Sequence, residues 1–357
     1  MSDRIYLRPL GLVWGAAAEI AAADGAALPI AGGPAACLAF EVIEGAAGRA
    51  KRRIVPARDL VHSSDAQIGR LIGAITRARA PIAGVALHPP AIMGIVNVTP
   101  DSFSDGGDFA AAESAVAHAR RLAAEGAEIV DIGGESTRPG SDAVDEAEEM
   151  RRVLPVLDGL EGLGAPISID TRKASVMTAA ARRGAAIVND VSALAHDPAA
   201  LAAAARLSVP VVLMHAQGDP RSMQENPVYE DVLLEVYDFL DARIAAAEAA
   251  GIARDRLIAD PGLGFGKTLD HNLALLAGMA LFHGLGVPLL VGASRKGMIG
   301  RITGERDARR RMPGSIGAAL AAAGQGVQIL RVHDVAATRQ ARDCWLASIS
   351  GRWAKLT

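Results

Sequence analysis

From residue 91 onward the sequence alternates between short apolar runs and helical patterns, and this alternation restricts the fold more than any other feature. Eight runs rich in Val, Ile and Leu are predicted as strands: 92–97, 128–133, 167–171, 186–190, 210–214, 256–260, 288–293 and 327–332. The predicted helices are 110–125, 145–160, 173–183, 197–206, 229–250, 270–282, 315–324 and 336–349. Eight consecutive strand–helix units predict an α/β fold, a (β/α)8 barrel, and an open doubly wound sheet is the alternative.

Residues 1–90 carry weaker signals, and we expect them to form an N-terminal α/β extension beside a barrel of residues 91–357. The stretches IYLRPLGLVWG and CLAFEVIE have the composition of strands, and residues 64–80 have the apolar spacing of an amphipathic helix. Pro89 and Pro90 mark the boundary between the two parts. The extension is interpreted as a cap or interface element, with a ligand-binding role as the alternative.

Composition excludes several classes of function. The net charge is −3 and no long basic run occurs, so nucleic acid is not an expected partner. Two cysteines, Cys37 and Cys344, lie far apart, which argues against a disulfide framework or a cysteine zinc site and indicates a reducing compartment. No charge-free apolar run approaches the length of a membrane span, and no signal peptide is evident. We therefore expect a cytoplasmic protein that does not associate with membranes.

Polar side chains end nearly every predicted strand. In chain order they are Asn97, Asp131, Asp170, Asn189 with Asp190, His215 after Met214, Asp260, Ser294 to Lys296, and Arg331 with His333. A single Asp in such a place is usually a turn or helix-capping residue. The carboxyl ends of barrel strands all meet at one rim, however, so a complete ring of polar ends predicts a binding site there.

The donors and acceptors in this ring suit a pterin. Asp170 and Asp260 can accept from the adjacent N–H groups of a planar heterocycle, while Asn189 can both donate and accept. Lys296 can donate to a carbonyl oxygen or a ring nitrogen. Met214 and Phe265 are candidates to stack against the face of the ring.

A second group of residues suits a multiply charged anion. Arg331, His333 and Arg138 are cations or donors of the kind that bind pyrophosphate. Asn97 offers an oxygen ligand for Mg2+, which takes few protein ligands when phosphate oxygens are present. The nearby segment GLGFGKT, residues 262–268, is not a Walker A phosphate loop, because Pro261 stands where that motif needs glycine. Its glycines are interpreted as a tight barrel loop.

The segments MGIVNVTPDSFSDGG, VDIGGESTRPGS, ISIDT, IVNDVSAL, VVLMHAQGDPRSMQ, ADPGLGFGKT, LLVGASRKGMIG and LRVHDV occur in this order from residue 93 to residue 335. In sequence and order they resemble the dihydropteroate synthase family. Two small departures are Ala216, where the family commonly has Met, and Gly297, where it often has Ser. The resemblance implies condensation of 6-hydroxymethyl-7,8-dihydropterin diphosphate with p-aminobenzoate, which gives 7,8-dihydropteroate and pyrophosphate for folate biosynthesis.

The resemblance also implies a role for each matching residue. It assigns catalysis to Asp170, Lys296 and Asn97, pterin binding to Asp170, Asn189, Met214, Asp260, Phe265 and Lys296, pyrophosphate binding to Asn97, Thr137, Arg138, Arg331 and His333, p-aminobenzoate binding to Phe103, Thr137, Pro139 and Ser294, and Mg2+ to Asn97. The enzyme is expected to be a homodimer. Two rival interpretations are a methyltransferase that moves a methyl group from a methyl-folate to a corrinoid, and a barrel paralogue retained as a structural or regulatory subunit.

Overall fold

A computed structural model describes residues 4–98, 107–136, 141, 143–218 and 223–352, with backbone alone for residues 107–110. The candidate site residues Phe103, Thr137, Arg138 and Pro139 lie outside the described residues. No helix within the described ranges is both long and apolar enough to cross a membrane.

The first part of the chain forms an antiparallel sheet with three helices. Its strands are β1 (Ile5–Trp14), β2 (Leu28–Pro29), β3 (Ala35–Glu44) and β4 (Lys51–Pro56), and its helices are α1 (Gly15–Ala23), α2 (Ala57–Val61) and α3 (Ala66–Thr76). Strand β3 is central, with β1 on one side and both β2 and β4 on the other. Sequence reasoning found β1, β3 and α3. It missed α1, whose Ala-rich sequence has little amphipathic spacing, and the exposed basic edge strand β4.

The second part is an eight-stranded parallel barrel. Its strands are β5 (Ala91–Asn97), β6 (Ile129–Gly133), β7 (Ile167–Asp170), β8 (Ala185–Asp190), β9 (Val211–Met214), β10 (Leu257–Asp260), β11 (Leu290–Val291) and β12 (Ile329–Val332). The strand order β10-β9-β8-β7-β6-β5-β12-β11 is completed by a parallel bridge between Ala259 and Leu289. This bridge joins the two end strands, so the predicted barrel is confirmed and the open doubly wound sheet is wrong.

The barrel helices are α4 (Gly107–Ala124), α5 (Glu146–Gly159), α6 (Ala174–Ala181), α7 (Ala200–Leu207), α8 (Val232–Ala249), α9 (Leu269–Ala277), α10 (Gly297–Thr303), α11 (Met312–Ala323) and α12 (Val335–Ser350). The predicted helix 270–282 is in fact two pieces, because Gly278 ends α9 and a 3-10 helix continues over Met279–Leu285. Predicted strand 288–293 shortens to two residues. Helix α10 is absent from the eight predicted helices, although a helix was expected to begin near Ser294; its seven residues are too few to give a clear period.

The amino-terminal end of the barrel is closed by the segment between the two parts. Ile82 and Leu87 are buried against an inward-facing layer that includes Met93 of β5 and Ile129 of β6. An antiparallel bridge between Ile82 and Val85 shapes this segment into a small hairpin. The layer below the polar ring is therefore a packed apolar core and not a channel.

Aromatic contacts join the extension to the outside of the barrel. The Tyr6 ring meets that of Tyr237 on α8 edge to face, with centroids 5.3 Å apart, and the Tyr6 hydroxyl donates to Asp238 at 2.9 Å. Trp14 and Trp345 on α12 make a similar contact, with centroids 5.2 Å apart. Tyr6 belongs to the same apolar cluster as the barrel helices. The division of the chain at residue 90 into two units stays a prediction.

The hairpin is expected to contribute directly to stability. Changing Ile82→Ala removes three buried methyl or methylene groups from a fully packed site, so the free energy of unfolding should fall by about 2–5 kcal/mol. Ile54→Ala is the matched control, because Ile54 is 71% exposed and its loss should change stability by less than about 0.5 kcal/mol. Urea unfolding followed by circular dichroism measures both, and equal effects would mean that Ile82 does not close the barrel.

Candidate active site

The polar residues predicted at the strand ends do form one ring at the carboxyl rim of the barrel. Asn97, Asp170, Asp190, Met214 and Asp260 are the last residues of their strands, and Asn189 is one residue from the end of β8. Parallel pairing places Asp170 beside Asn189, and Asp260 beside Met214. The register therefore brings together residues that lie far apart in the sequence.

The guanidinium group of Arg331 bridges two carboxylates across this ring. Its Nε donates to Asp131 Oδ2 at 2.7 Å, and its Nη2 donates to Asp170 Oδ2 at 2.7 Å. Asn189 Nδ2 donates to the same Asp131 oxygen at 3.1 Å. Two of the five guanidinium N–H groups are thus used within the protein, which leaves others to bind a ligand.

Burial raises the pKa of Asp170, and the nearby carboxylate of Asp131 acts in the same direction, while the Arg331 cation opposes both. Asp131 has a fully buried side chain, and its Oδ1 atom has no hydrogen-bond partner among the described residues. A buried acceptor without a donor is costly, and this oxygen is available to an N–H group of a ligand. Asp131 was noticed at the end of its strand but was not assigned a role from the sequence.

Lys296 and Phe265 lie together on the opposite side of the ring. The Lys296 ammonium stands 4.5 Å from the centre of the Phe265 ring and donates to the carbonyl oxygen of Leu263. Burial lowers the pKa of Lys296 to about 8, although the Asp260 carboxylate raises it. Burial also disfavours the charged form of Asp260 and so raises its pKa. The Oδ1 atom of Asp260 accepts from the Gly262 N–H at 2.7 Å. Each charge is therefore only partly compensated by the protein.

The loop after β10 is fixed by a buried lysine that sequence reasoning did not single out. Lys267 is 2% exposed, and its ammonium donates to the carbonyl oxygens of Gly262 and Phe265 at 2.9 and 3.0 Å and contacts His215 Nδ1 at 2.8 Å. Gly262 has a φ of +66°, and a Cβ atom there would lie 1.9 Å from the His215 carbonyl oxygen. The interpretation of GLGFGKT as a tight barrel loop is confirmed, and its lysine has a structural role.

Asp190 is a turn residue, as is usual for an aspartate at the end of a strand. Its oxygens accept from the N–H groups of Ser192 and Leu194 at 2.7 and 3.0 Å and from the Ser192 hydroxyl at 2.6 Å. Burial raises its pKa to about 6 against these hydrogen bonds. Asp190 therefore organises the turn after β8 and does not point to a ligand.

His333 and Arg331 were expected to converge on one anion, and they have different partners here. His333 Nδ1 lies 3.0 Å from the Ser294 hydroxyl, which also accepts from the His333 backbone N–H at 3.2 Å. Ser294 and His333, predicted to contact different substrates, are thus direct neighbours. Arg295, the next residue, pairs with Asp334 at 2.5 Å. The roles assigned to individual site residues stay predictions.

Comparisons with known proteins agree with this geometry. The sequence model of the family described as pterin binding enzyme matches residues 93–333. The dihydropteroate synthase of Neisseria meningitidis serogroup C is 52% identical over 266 residues, which cover 74% of this chain and 94% of that protein.

Solved structures resemble the barrel as well. The dihydropteroate synthase of Xanthomonas albilineans with 4-aminobenzoic acid matches with a TM-score of 0.71 and 53% identity, covering 74% of this chain and 96% of that one. A structure of the same enzyme in complex with 7,8-dihydropteroate matches with a TM-score of 0.67 and 50% identity, over 74% of this chain and 95% of that one. This chain belongs to the dihydropteroate synthase family of pterin-binding enzymes.

Proposed function

We propose that this protein condenses 6-hydroxymethyl-7,8-dihydropterin diphosphate with p-aminobenzoate. The amine nitrogen bonds to the pterin methylene carbon, the carbon–oxygen bond to pyrophosphate breaks, and the amine loses a proton. The observation that carries the proposal is the ring in which Arg331 joins Asp131 and Asp170 while Asp260 and Lys296 remain only partly compensated. This ring offers acceptors, a donor and a cation within one site.

Asp260 and Lys296 are proposed to bind the two polar edges of the pterin. Because Asp260 Oδ1 already accepts from Gly262, its Oδ2 atom is the one offered to the ring N–H and amino groups. The Lys296 ammonium donates to an acceptor on the pterin, and Met214 and Phe265 contact the ring faces. Binding thereby gives the carboxylate of Asp260 and the ammonium of Lys296 the hydrogen-bond partners that the protein does not supply. This favours a pterin over an apolar ring of the same size.

Asp170 and Arg331 are proposed to act on the reacting carbon and on the leaving group. As the carbon–oxygen bond breaks, positive charge develops on the pterin methylene and negative charge on the pyrophosphate. The carboxylate of Asp170 stabilises the first, and the remaining N–H groups of Arg331, with His333, stabilise the second. The Arg331 cation also favours the ionised form of Asp170, against the burial and the neighbouring carboxylates that raise its pKa.

Mg2+ is proposed as the cofactor, held by Asn97 and by oxygens of the diphosphate. Among the described residues no group of three or more His, Cys, Asp or Glu side chains could hold a metal ion, which argues against an all-protein site. One amide oxygen at the rim fits an ion that keeps most of its ligands from phosphate and water. When bound, the ion would neutralise charge on the leaving group.

We propose further that the protein acts as a homodimer in a reducing cytoplasm. The free cysteines Cys37 and Cys344 support the compartment, since neither is used in a disulfide. Multi-angle light scattering of the purified protein decides between a monomer and a dimer.

A coupled assay for pyrophosphate release tests the proposed reaction. Release should require both the pterin diphosphate and p-aminobenzoate, and it should stop when a chelator removes Mg2+. The circular dichroism spectrum should stay unchanged on chelation, because the proposed ion is held by substrate and not by the fold. Unfolding on chelation would contradict this placement, and no release with both substrates and Mg2+ would refute the function.

The pKa of Lys296 predicts how pterin binding depends on pH. Because this pKa is lowered to about 8, the ammonium is about 90% protonated at pH 7 and about 10% at pH 9. The affinity for the pterin diphosphate should therefore fall by about tenfold between these pH values. Lys296→Arg should show no such fall, because arginine keeps its proton at both pH values. Equal pH dependence of the two proteins, measured by calorimetry, would exclude Lys296 as the donor.

Arg331→Ala should distinguish the synthase from the methyltransferase interpretation. The variant should lose about 1.5–3 kcal/mol of affinity for the pterin diphosphate, the range of a hydrogen bond to a charged group. Affinity for the pterin alcohol should change much less, since the alcohol carries no diphosphate. The substitution also leaves Asp131 and Asp170 without their cation, so circular dichroism must show that the variant is folded at the assay pH. Equal losses for the two pterins would assign Arg331 a purely structural role.

A further inference from the structure

A buried cluster of four charged residues lies directly behind the ends of β6 and β7. Arg172 donates to both carboxylate oxygens of Glu135, from Nη2 at 2.9 Å and from Nε at 3.1 Å. The Lys173 ammonium donates to Glu135 at 2.9 Å and to Glu149 of α5 at 2.5 Å. Two cations thus face two carboxylates, and the proposed chemistry uses none of the four.

Burial makes this cluster different from an exposed ion pair. The side chains of Glu135 and Glu149 are 3% and 0% exposed, and those of Arg172 and Lys173 are each 10% exposed. Burial alone would raise the pKa of Glu135, but its hydrogen bonds to Arg172 and Lys173 lower this pKa to about 2. For Glu149 the effect of burial prevails and its pKa is raised, although Lys173 opposes it. Loss of one partner would leave an uncompensated buried charge.

The cluster holds the residues that come immediately after Asp170. The backbone N–H of Thr171 donates to the carbonyl oxygen of Asn189 at 3.0 Å, which ties this segment to β8. The next two residues, Arg172 and Lys173, reach Glu135, which follows the end of β6. Lys173 also reaches α5 on the outside of the barrel through Glu149. Three different elements therefore hold the chain that leaves β7.

The same cluster fixes the end of β6 relative to β7. The last residue of β6, Gly133, pairs with Asp170, and a Cβ atom at Gly133 would lie 3.3 Å from the Asp170 Cβ. Glu135 Oε1 also accepts from the backbone N–H of Val144 at 3.2 Å, so both flanks of the following loop meet at one carboxylate. A shift of Glu135 would move the strand ends that carry Asp131 and Asp170.

We propose that Arg172 and Lys173 are positioning residues for Asp170: they hold the chain after β7 against Glu135 and Glu149 and so set the place of the Asp170 carboxylate in the ring. This inference rests on the proposed function and deepens it. The proposed reaction gives neither residue a direct role. Their effect passes through the backbone of residues 170–173 and through the spacing between the ends of β6 and β7.

This role predicts a particular kinetic signature. Asn189, Asp260 and Lys296 bind the intact pterin from other strands, so ground-state affinity should change little when the cluster is weakened. Asp170 acts most strongly on the charge that develops as the carbon–oxygen bond breaks. A misplaced Asp170 should therefore lower kcat far more than it raises KM for either substrate.

The experiment uses the full-length enzyme with Lys173→Met, which removes the cation and keeps most of the side-chain stem. We expect kcat to fall about 10- to 100-fold, the range for a small displacement of a catalytic group, with both KM values changed less than about threefold. Lys173→Arg keeps the cation and should retain kcat within about threefold of the parent enzyme. Arg183→Met, which breaks an exposed pair with Asp158 just beyond α6, is the control and should leave kcat unchanged.

A double variant keeps the test decisive if Lys173→Met fails to fold. Glu149→Gln with Lys173→Met removes one charge of each sign, so no buried charge loses its only partner, and the fall in kcat should persist. Folded variants with kcat within twofold of the parent would overturn the inference, as would equal losses in Lys173→Arg and Lys173→Met. An inactive parent enzyme would instead refute the proposed function, so the two failures are distinguishable.

Discussion

The candidate site depends on one guanidinium group held between two carboxylates. Asp131 and Asp170 lie on adjacent strands, and without a cation their buried charges would repel each other strongly. The two 2.7 Å hydrogen bonds from Arg331 offset that repulsion. Because Arg331 lies on β12, the last strand of the chain, its position relative to Asp131 depends on the pairing of β12 with β5 and of β5 with β6. Assembly of the site is therefore coupled to assembly of the barrel.

The same balance of charge is repeated one layer farther out. Outside the ring, Glu135 and Glu149 form ion pairs with Arg172 and Lys173. The acidic residues near the ends of β6 and β7 are therefore balanced by cations in both places. Buried pairs of this kind add little net stability compared with apolar packing, but they impose strict geometry because each oxygen must meet its donor. A rim that must hold a carboxylate in place during a reaction benefits from that geometry more than from additional stability.

Sequence reasoning predicted the barrel because eight strand–helix units leave few alternatives, and it placed the ring because strand ends share one rim. It could not identify which charges would pair. The bridging of Asp131 and Asp170 by Arg331 joins residues 200 and 161 positions apart. Lys267 lies in a glycine-rich loop, and its role depends on the carbonyl oxygens of Gly262 and Phe265 to which its ammonium donates. Those contacts exist only once the loop has folded. The break of the predicted helix at Gly278 and the hairpin at Ile82 likewise depend on tertiary packing that no local pattern records.

Burial shifts Asp260 and Lys296, the two residues proposed to bind the pterin edges, toward their neutral forms. The pKa of Asp260 is raised, and that of Lys296 is lowered to about 8, although each opposes the shift of the other. Neither charge is fully compensated by the protein, and a ligand with donors on one edge and an acceptor on the other supplies what each lacks. A ligand of this kind would recover the free energy lost by burying these groups, so the proposed site would select for a hydrogen-bonding pattern and not merely for a shape.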